Sequence, residues 1–379
     1  MDKLLRRVWA EIDLDNLDHN IELIKQAAGG IPIMAVVKAD AYGHSADIIA
    51  AELWEKGIKS YAVSNVLEAI DLRKTLGTAQ IVIFGYCDPE WQQEIIDGGF
   101  EQTAASLSHA KMLSGIAVER GISLKVHVKV NTGMNRVGID TAEELHEILA
   151  LPGLDVRGVY THFSVADSSD PDDVRYTQSQ QAKLDAVSKE ARESGIPVYS
   201  RNSGGILYHP QFGGDMVRSG IITYGCMPNT ALPVPIDIKP VMRLRAAVCQ
   251  IKTVPAGSAV SYGRTYVTDR ETTLAVVPVG YADGYSRGLS GKGAVYINGK
   301  RAPITGRVCM DQMMVDVTGL DVKVGDIAEL YSDTIDEIKA DNIAETLGTI
   351  GYELLCLVSK RVPRAAVRGG EILRVVNYI

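Results

Sequence analysis

Between residues 33 and 218, short runs of apolar residues alternate with segments patterned as helices. This alternation restricts the folds open to the chain more than any other feature. Strand candidates fall at 33–37, 60–64, 81–84, 103–106, 124–130, 156–163, 198–201 and 216–218. The first is continuously apolar, as strands covered on both faces of a parallel sheet are. Helical periodicity marks 14–28, 46–56, 66–76, 89–96, 109–120, 142–149 and 174–193. Eight strands with intervening helices predict an N-terminal (β/α)8, TIM-like barrel. An open doubly wound sheet is the main rival, but it normally has fewer strands and a Gly-rich first turn. Beyond residue 240 the texture becomes Val-, Ile-, Thr- and Tyr-rich. Strands are expected at 245–253, 273–279, 294–297 and 312–317, with Asn298-Gly299 as a hairpin turn and one clear helix at 341–347. The fold class is therefore α/β, a barrel followed by a mostly β domain. The boundary falls in the proline-marked stretch 228–240. It gives a barrel at 10–232 and a β domain at 233–379, on which residues 1–9 are expected to pack.

Composition narrows the function. The 379 residues carry 39 Lys+Arg against 47 Asp+Glu, a formal charge of −8 that lacks the basic footprint of a nucleic-acid binder. No apolar run reaches the length of a membrane span. The N-terminal residues turn acidic where a secretory signal would be apolar. The five cysteines form no CxxC pair, as suits a reducing cytoplasm, and neither they nor the seven histidines show metal-site spacing. We expect a cytoplasmic enzyme with no metal, no nucleic-acid partner and no membrane partner. Phosphate loops of the GxxxxGK[ST] and GxGxxG types are absent.

Barrel enzymes carry their chemistry at the C-terminal ends of the strands. The first strand runs directly into Lys38, where partial desolvation lowers a lysine's proton affinity and makes it a candidate nucleophile. A snorkelling lysine at a barrel mouth fits the same position equally well. Tyr42 and His44 follow, His44 reading as a structural hydrogen-bonder. Asn202-Ser203-Gly204-Gly205 ends the seventh strand and Arg218-Ser219-Gly220-Ile221 the eighth. Hydroxyls and unhindered glycine N–H groups there suit a phosphate, although tight turns alone would also use glycine. Lys129, Asn131, Arg136 and His162 are further polar residues at strand ends. A reactive lysine with a phosphate cradle suggests pyridoxal phosphate (PLP), the lysine forming a Schiff base and the phosphate acting as tether. A phosphosugar lyase or aldolase shares this logic.

Longer motifs are more specific. Ala35-Val36-Val37-Lys38-Ala39-Asp40-Ala41-Tyr42-Gly43-His44 closely resembles the PLP-lysine motif of the alanine racemase family. Similar matches occur at 9–14, at 129–138 (Lys129 to Gly138), at 160–163 and at 217–221. In the β region they occur at 260–266 around Tyr262, at 280–284, at 309–311 and at 361–364. The resemblance spans nearly the whole chain and implies roles. Lys38 would carry PLP, and Tyr42, Ser203, Gly220, Ile221 and Tyr352 would hold its phosphate. Arg218 would face the pyridine nitrogen, with His162 and Asn202 completing the cofactor set. Arg136 and the Met310 N–H would grip the substrate carboxylate. Lys129 matches a lysine that is often carbamylated. Tyr262 would be the second catalytic residue, hydrogen-bonded to His162. Tyr262, Tyr281, Met310 and Asp311 would act in trans across a homodimer.

The implied reaction is racemisation of L- and D-alanine by Lys38 and Tyr262, supplying D-alanine for peptidoglycan. Removing a proton from one face of a carbon and returning one to the other needs two flanking acid/base groups. A free tyrosine titrates near ~10, so cationic neighbours are needed to favour its phenolate. Outside its motif, Tyr262 would read as a strand aromatic. An arginine at the pyridine nitrogen stays protonated and keeps that nitrogen unprotonated, which disfavours transamination. The chain departs from the family pattern at Ser45, Asn131, Ser219 and 201–205. These departures keep a serine or broad-specificity racemase as an alternative. A PLP-dependent decarboxylase, or a non-catalytic PLP-binding barrel without a second domain, is a more distant one.

Overall fold

The computed structural model describes residues 7–233 and 235–379. Packing of residues 1–6 therefore lies outside the described residues. Eight parallel strands form a nearly closed barrel. In order around it they are Val198–Tyr199, Leu154–Tyr160, Leu124–Lys129, Glu101–Ala104, Gln80–Ile83, Ser60–Val63, Ile33–Val36 and Val217–Ser219. The seam between Val198–Tyr199 and Val217–Ser219 has no continuous ladder. It is bridged by the Arg218 N–H on the Arg201 carbonyl (2.9 Å) and the Asp215 N–H on the Val198 carbonyl (3.0 Å). Helices cover the outside, and local chemistry sets their ends. Leu14–Ala28 starts where Asp13 accepts the Asn16 N–H and stops at left-handed Gly29, burying Leu17, Ile21 and Ile24 along one stripe. Ala142–Leu149 carries a reciprocal Thr141/Glu144 capping box. The single expected helix at 174–193 is two, Pro171–Val187 and Lys189–Glu193, divided at Ser188.

The second domain is built on a seven-stranded sheet. Its order is Lys300–Pro303, Ala294–Ile297, Ile327–Tyr331, Met242–Ala247, Val8–Asp13, Arg364–Arg368 and Glu371–Val376. Val8–Asp13 runs antiparallel to Met242–Ala247 and parallel to Arg364–Arg368, so all six of its residues are buried. The expected start of the barrel at residue 10 falls inside this strand. The expected strand at 245–253 divides in two because the chain changes sheets. The Val248 N–H donates to the Asp326 carbonyl, while the Cys249 N–H donates to Val276 in the sheet of Gln250–Val254, Thr272–Val277 and Met313–Asp316. Asn298 (φ 52°) and Gly299 (φ 70°) make the expected hairpin turn between Ala294–Ile297 and Lys300–Pro303. A helix absent from the sequence reading, Gly351–Leu357, packs on the loop after the first barrel strand. There a Cβ on Gly43 would lie 2.1 Å from the Leu355 carbonyl oxygen. Among the described residues no helix is long and apolar enough to cross a membrane.

Candidate active site

The strand Ile33–Val36 is entirely buried, and two residues later the chain emerges as half-buried Lys38. The segment that follows is one turn of left-handed helix. Ala39, Asp40, Ala41 and Tyr42 have φ of 52°, 54°, 55° and 53°. Each such L-residue costs about 1–2 kcal/mol, and runs of them are rare outside functional sites. The turn closes through the Ala41 N–H on Val37 and the Gly43 N–H on Ala39, both 2.9 Å. The second domain braces it from behind. Buried Arg364 donates Nε to the Gly43 carbonyl at 2.9 Å, and Tyr378 donates its hydroxyl to Asp40 at 2.5 Å. His44 is a structural hydrogen-bonder beneath the turn. Its Nδ1 contacts the Ala41 and Tyr42 carbonyls, and burial lowers its pKa to about 3.

Lys38 opens into a cavity of about 460 Å³ at the C-terminal rim of the barrel, whose lining includes Tyr42, Lys129, Arg136, His162, Asn202, Ser203, Arg218, Gly220, Ile221 and Tyr352. At one end is a small polar cradle. The Gly220 N–H donates to Ser203 Oγ at 3.1 Å. A Cβ on Gly220 would fill the cradle, lying 3.1 Å from the Tyr42 hydroxyl. Ser203 and Ile221 each begin a short helix, where N–H groups lack intrahelical partners. Asn202 caps the first of these, accepting the Gly205 N–H at 2.9 Å, and its Nδ2 lies 3.4 Å from His162 Nε2. The Gly351–Leu357 helix brings Tyr352 to 6.2 Å from the Tyr42 ring.

Arg218 is buried deeper. One terminal nitrogen donates to the Ser200 carbonyl at 2.6 Å, and the guanidinium lies over Tyr160 (5.4 Å), Tyr199 (5.7 Å) and Phe84 (5.8 Å). Its Nε is buried without a partner, leaving a donor for a ligand acceptor. Among the described residues, Lys38, Lys129, Arg136 and Arg218 form no salt bridge. This concentration of cations shapes the titrations. Burial, then Arg218 and Arg136, lowers the Lys129 pKa to about 6. Burial, then Arg136, lowers that of Lys38. Burial, then Arg218, pushes His162 well below its ordinary value. Asn131 fastens the loop that leads to Arg136, accepting the Asn135 N–H at 2.9 Å and donating to Asp140 at 3.0 Å.

Tyr262, Tyr281, Met310 and Asp311 do not line this cavity. They gather on the second domain instead. The Tyr281 N–H donates to Cys309 and the Ala282 N–H to Met310 (both 3.0 Å), while Ser261 Oγ donates to Arg307 at 2.7 Å. Tyr262 is 70% exposed and Met310 52%, whereas Asp311 pairs with Arg361 at 2.8 Å. Within this chain His162 meets Asn202, not Tyr262. Phe84, Tyr86, Tyr160 and Asp167 also line the cavity, beyond the residues expected from sequence. Phe84 and Tyr160 were legible as strand-end aromatics. Nothing marked Asp167 within its Ser- and Asp-rich loop.

A strand-end lysine, a polar cradle after the last two strands and an arginine paired with no acid among the described residues meet in one cavity at the barrel mouth, where (β/α)8 enzymes carry their active sites. Family models agree. The alanine racemase N-terminal domain matches residues 12–228 and the alanine racemase C-terminal domain residues 241–366. The alanine racemase of Clostridium perfringens is 43% identical, covering all of both chains. The structure of the Clostridium difficile 630 alanine racemase superposes with a TM-score of 0.93 at 36% identity, again over all of both chains. That of Bartonella henselae, which has covalently bound pyridoxal phosphate, gives 0.84 at 30% identity, over 95% of this chain and 99% of that one. The chain belongs to the alanine racemase family.

Proposed function

We propose that the chain interconverts L- and D-alanine with pyridoxal phosphate, using Lys38 and Tyr262 as the two acid/base groups. The observation that carries this reading is the single cavity joining Lys38, the Ser203–Gly220–Tyr42 cradle and acid-free Arg218. These residues fit PLP. The cradle takes a phosphate, Arg218 Nε offers a donor to the ring nitrogen, and Lys38 supplies the amine. When bound, PLP withdraws electrons from the α-carbon of an attached amino acid and makes its proton removable.

The remaining steps belong to this chain's own groups. Lys38, its proton affinity lowered by burial and by Arg136, is available as a neutral base for one face of the α-carbon. Arg136 orients the substrate carboxylate with the Met310 N–H. Arg218 remains a cation at the ring nitrogen and so disfavours transamination. Tyr262 serves the opposite face from a partner subunit, together with Tyr281, Met310 and Asp311. Their exposure on one patch outside the Lys38 cavity supports a homodimer in which each subunit completes the other's site. Lys129, whose proton affinity is lowered by burial and by Arg218 and Arg136, attacks carbon dioxide as the free amine, forms an N–C bond and releases a proton. The resulting carbamate supplies the anion that Arg136 lacks. The cellular role that follows is supply of D-alanine for peptidoglycan in the cytoplasm.

The test is incubation of the PLP-loaded protein with L-alanine and, separately, L-serine, followed by chiral resolution. D-alanine should accumulate toward an equal mixture, with D-serine forming at least tenfold more slowly. Faster turnover of serine would move the assignment to the serine racemases of the same family. Release of CO2 without racemisation would reject both.

A further inference from the structure

The left-handed turn after Lys38 needs external ties, and the one nearest the lysine comes from a residue outside the cavity. The helix Val66–Thr75 starts at Asn65, which accepts the Glu68 N–H at 3.0 Å. This cap sets Glu68 at the third helical position, beneath the first barrel strand's exit. Glu68 Oε1 accepts the Ala39 N–H at 2.8 Å, and Oε2 accepts the Ser64 N–H at 2.7 Å. Ala39 directly follows Lys38. Its N–H stands at the start of the turn, where no intrahelical acceptor exists. One carboxylate thus fastens the ends of two neighbouring barrel strands, Ile33–Val36 and Ser60–Val63, through the residues just beyond them.

We propose that Glu68 is the positioning residue for Lys38. It holds the strained turn at its first peptide and is the anion that balances the cations around the lysine amine. The proposal rests on the reading of Lys38 as the reacting lysine. The charged and titratable groups that face Lys38 are Arg136, Glu68, Cys356 and Arg218, with His162, which burial and Arg218 keep neutral. Both arginines favour the free amine. Cys356 is an exposed thiol whose pKa is not lowered, so it is neutral near pH 7. Glu68 is therefore the anion of the set. Its charge opposes the arginines and leaves Lys38 able to carry a proton as well as to accept one. A racemase base needs both states, because the reaction runs in both directions.

The variants Glu68→Gln and Glu68→Asp test this. Glu68→Gln removes the charge and turns a donor toward one of the two N–H groups. It should lower kcat roughly tenfold in both directions, as misplacement of a reacting group does. KM for alanine should stay within about threefold, because the Arg136 contact is untouched. The apoenzyme gives a readout independent of turnover, the pH dependence of the rate at which it takes up pyridoxal phosphate. Its midpoint reports the Lys38 amine and should move about half a unit or more to lower pH in Glu68→Gln. Glu68→Asp keeps the charge but retracts the oxygens, so kcat should fall with the midpoint unmoved. Parent-like kcat and midpoint in Glu68→Gln would overturn the proposal, as would a lowered Tm in both variants with kcat intact. If Glu68→Gln does not fold, an unchanged kcat in Glu68→Asp overturns it. Lys38→Ala separates this from the underlying reading. Near-visible absorbance of lysine-bound PLP surviving in Lys38→Ala defeats the reading of the site. Its loss, with Glu68→Gln silent, defeats only the role of Glu68.

Discussion

Lys129 and Ser45 show how single residues carry costs that their neighbours impose. Lys129 is a buried amine among cations, and its pKa in the fold is about 6 against 10.5 unperturbed. The unfolded chain therefore binds more protons between those values. The group's contribution to stability rises with pH through that window and is flat below it. In CO2-free buffer, Lys129→Met should be more stable than the parent by about 1–4 kcal/mol near pH 6, as apolar replacements of buried charges are. The gap should close toward pH 10 and shrink at neutral pH when bicarbonate is added. Urea unfolding at three pH values checks this, and a gap independent of pH would contradict the assigned titration. Ser45 bears a smaller cost. It sits at φ 72°, ψ 106° before the helix Ala46–Glu55 without capping it, because Asp40 accepts the Ala46 N–H at 2.7 Å instead. Relief of positive φ is worth about 1–2 kcal/mol, and the entropy of a glycine in the unfolded chain returns ~0.5–1 of it. Ser45→Gly should therefore raise stability by about 0.5 kcal/mol, measurable as a small increase in Tm with kcat unchanged.

At the scale of elements, the barrel was more legible than the second domain. Its strands are short, the first (Ile33–Val36) continuously apolar, and they are separated by helices with strong end signals, such as Asp13, Thr141 and Gly29. The second domain hides its plan in long-range pairing. Val8–Asp13 has partners more than two hundred residues away, and no local pattern identifies them. The sheet change at Val248–Cys249 is equally silent, because both sheets accept the same kind of residue. Of the site, the residues on strand ends could be read from position. Tyr352 could not, since it rides a seven-residue helix that begins with Gly351 and has no side-chain cap. Its expected role rests only on the family resemblance. That helix depends on Gly43, whose φ of 82° disfavours a side chain and whose Cβ would strike the Leu355 carbonyl. Gly43→Ala should destabilise by more than about 2 kcal/mol, because strain and a backbone collision add. It should also lower PLP content after dialysis, since Tyr42 and Tyr352 move apart. Calorimetry with absorbance of the dialysed protein tests both, and retained PLP at a lowered Tm would uncouple the helix from the cradle.

At the scale of the whole molecule, the two groups proposed for the reaction lie apart within one chain. Lys38 lies in the barrel mouth, while Tyr262, Tyr281 and Met310 form an exposed patch on the second domain. Large apolar side chains exposed together on a protein surface commonly mark an interaction site. In a twofold dimer each patch can close the other subunit's mouth, giving two equivalent sites. This arrangement predicts complementation. Lys38→Ala and Tyr262→Phe homodimers should each be nearly inactive in racemisation. Subunits refolded together in equal amounts should form heterodimers as half of the population. Each heterodimer has one site with both lesions and one with neither, so about one quarter of the parent activity should return. If Lys38 and Tyr262 acted within one subunit, every site would carry a lesion and mixing would restore nothing. Equal amounts of each variant diluted without refolding provide the baseline. Activity that climbs only after subunit exchange, and levels near a quarter, separates the two architectures on a single assay.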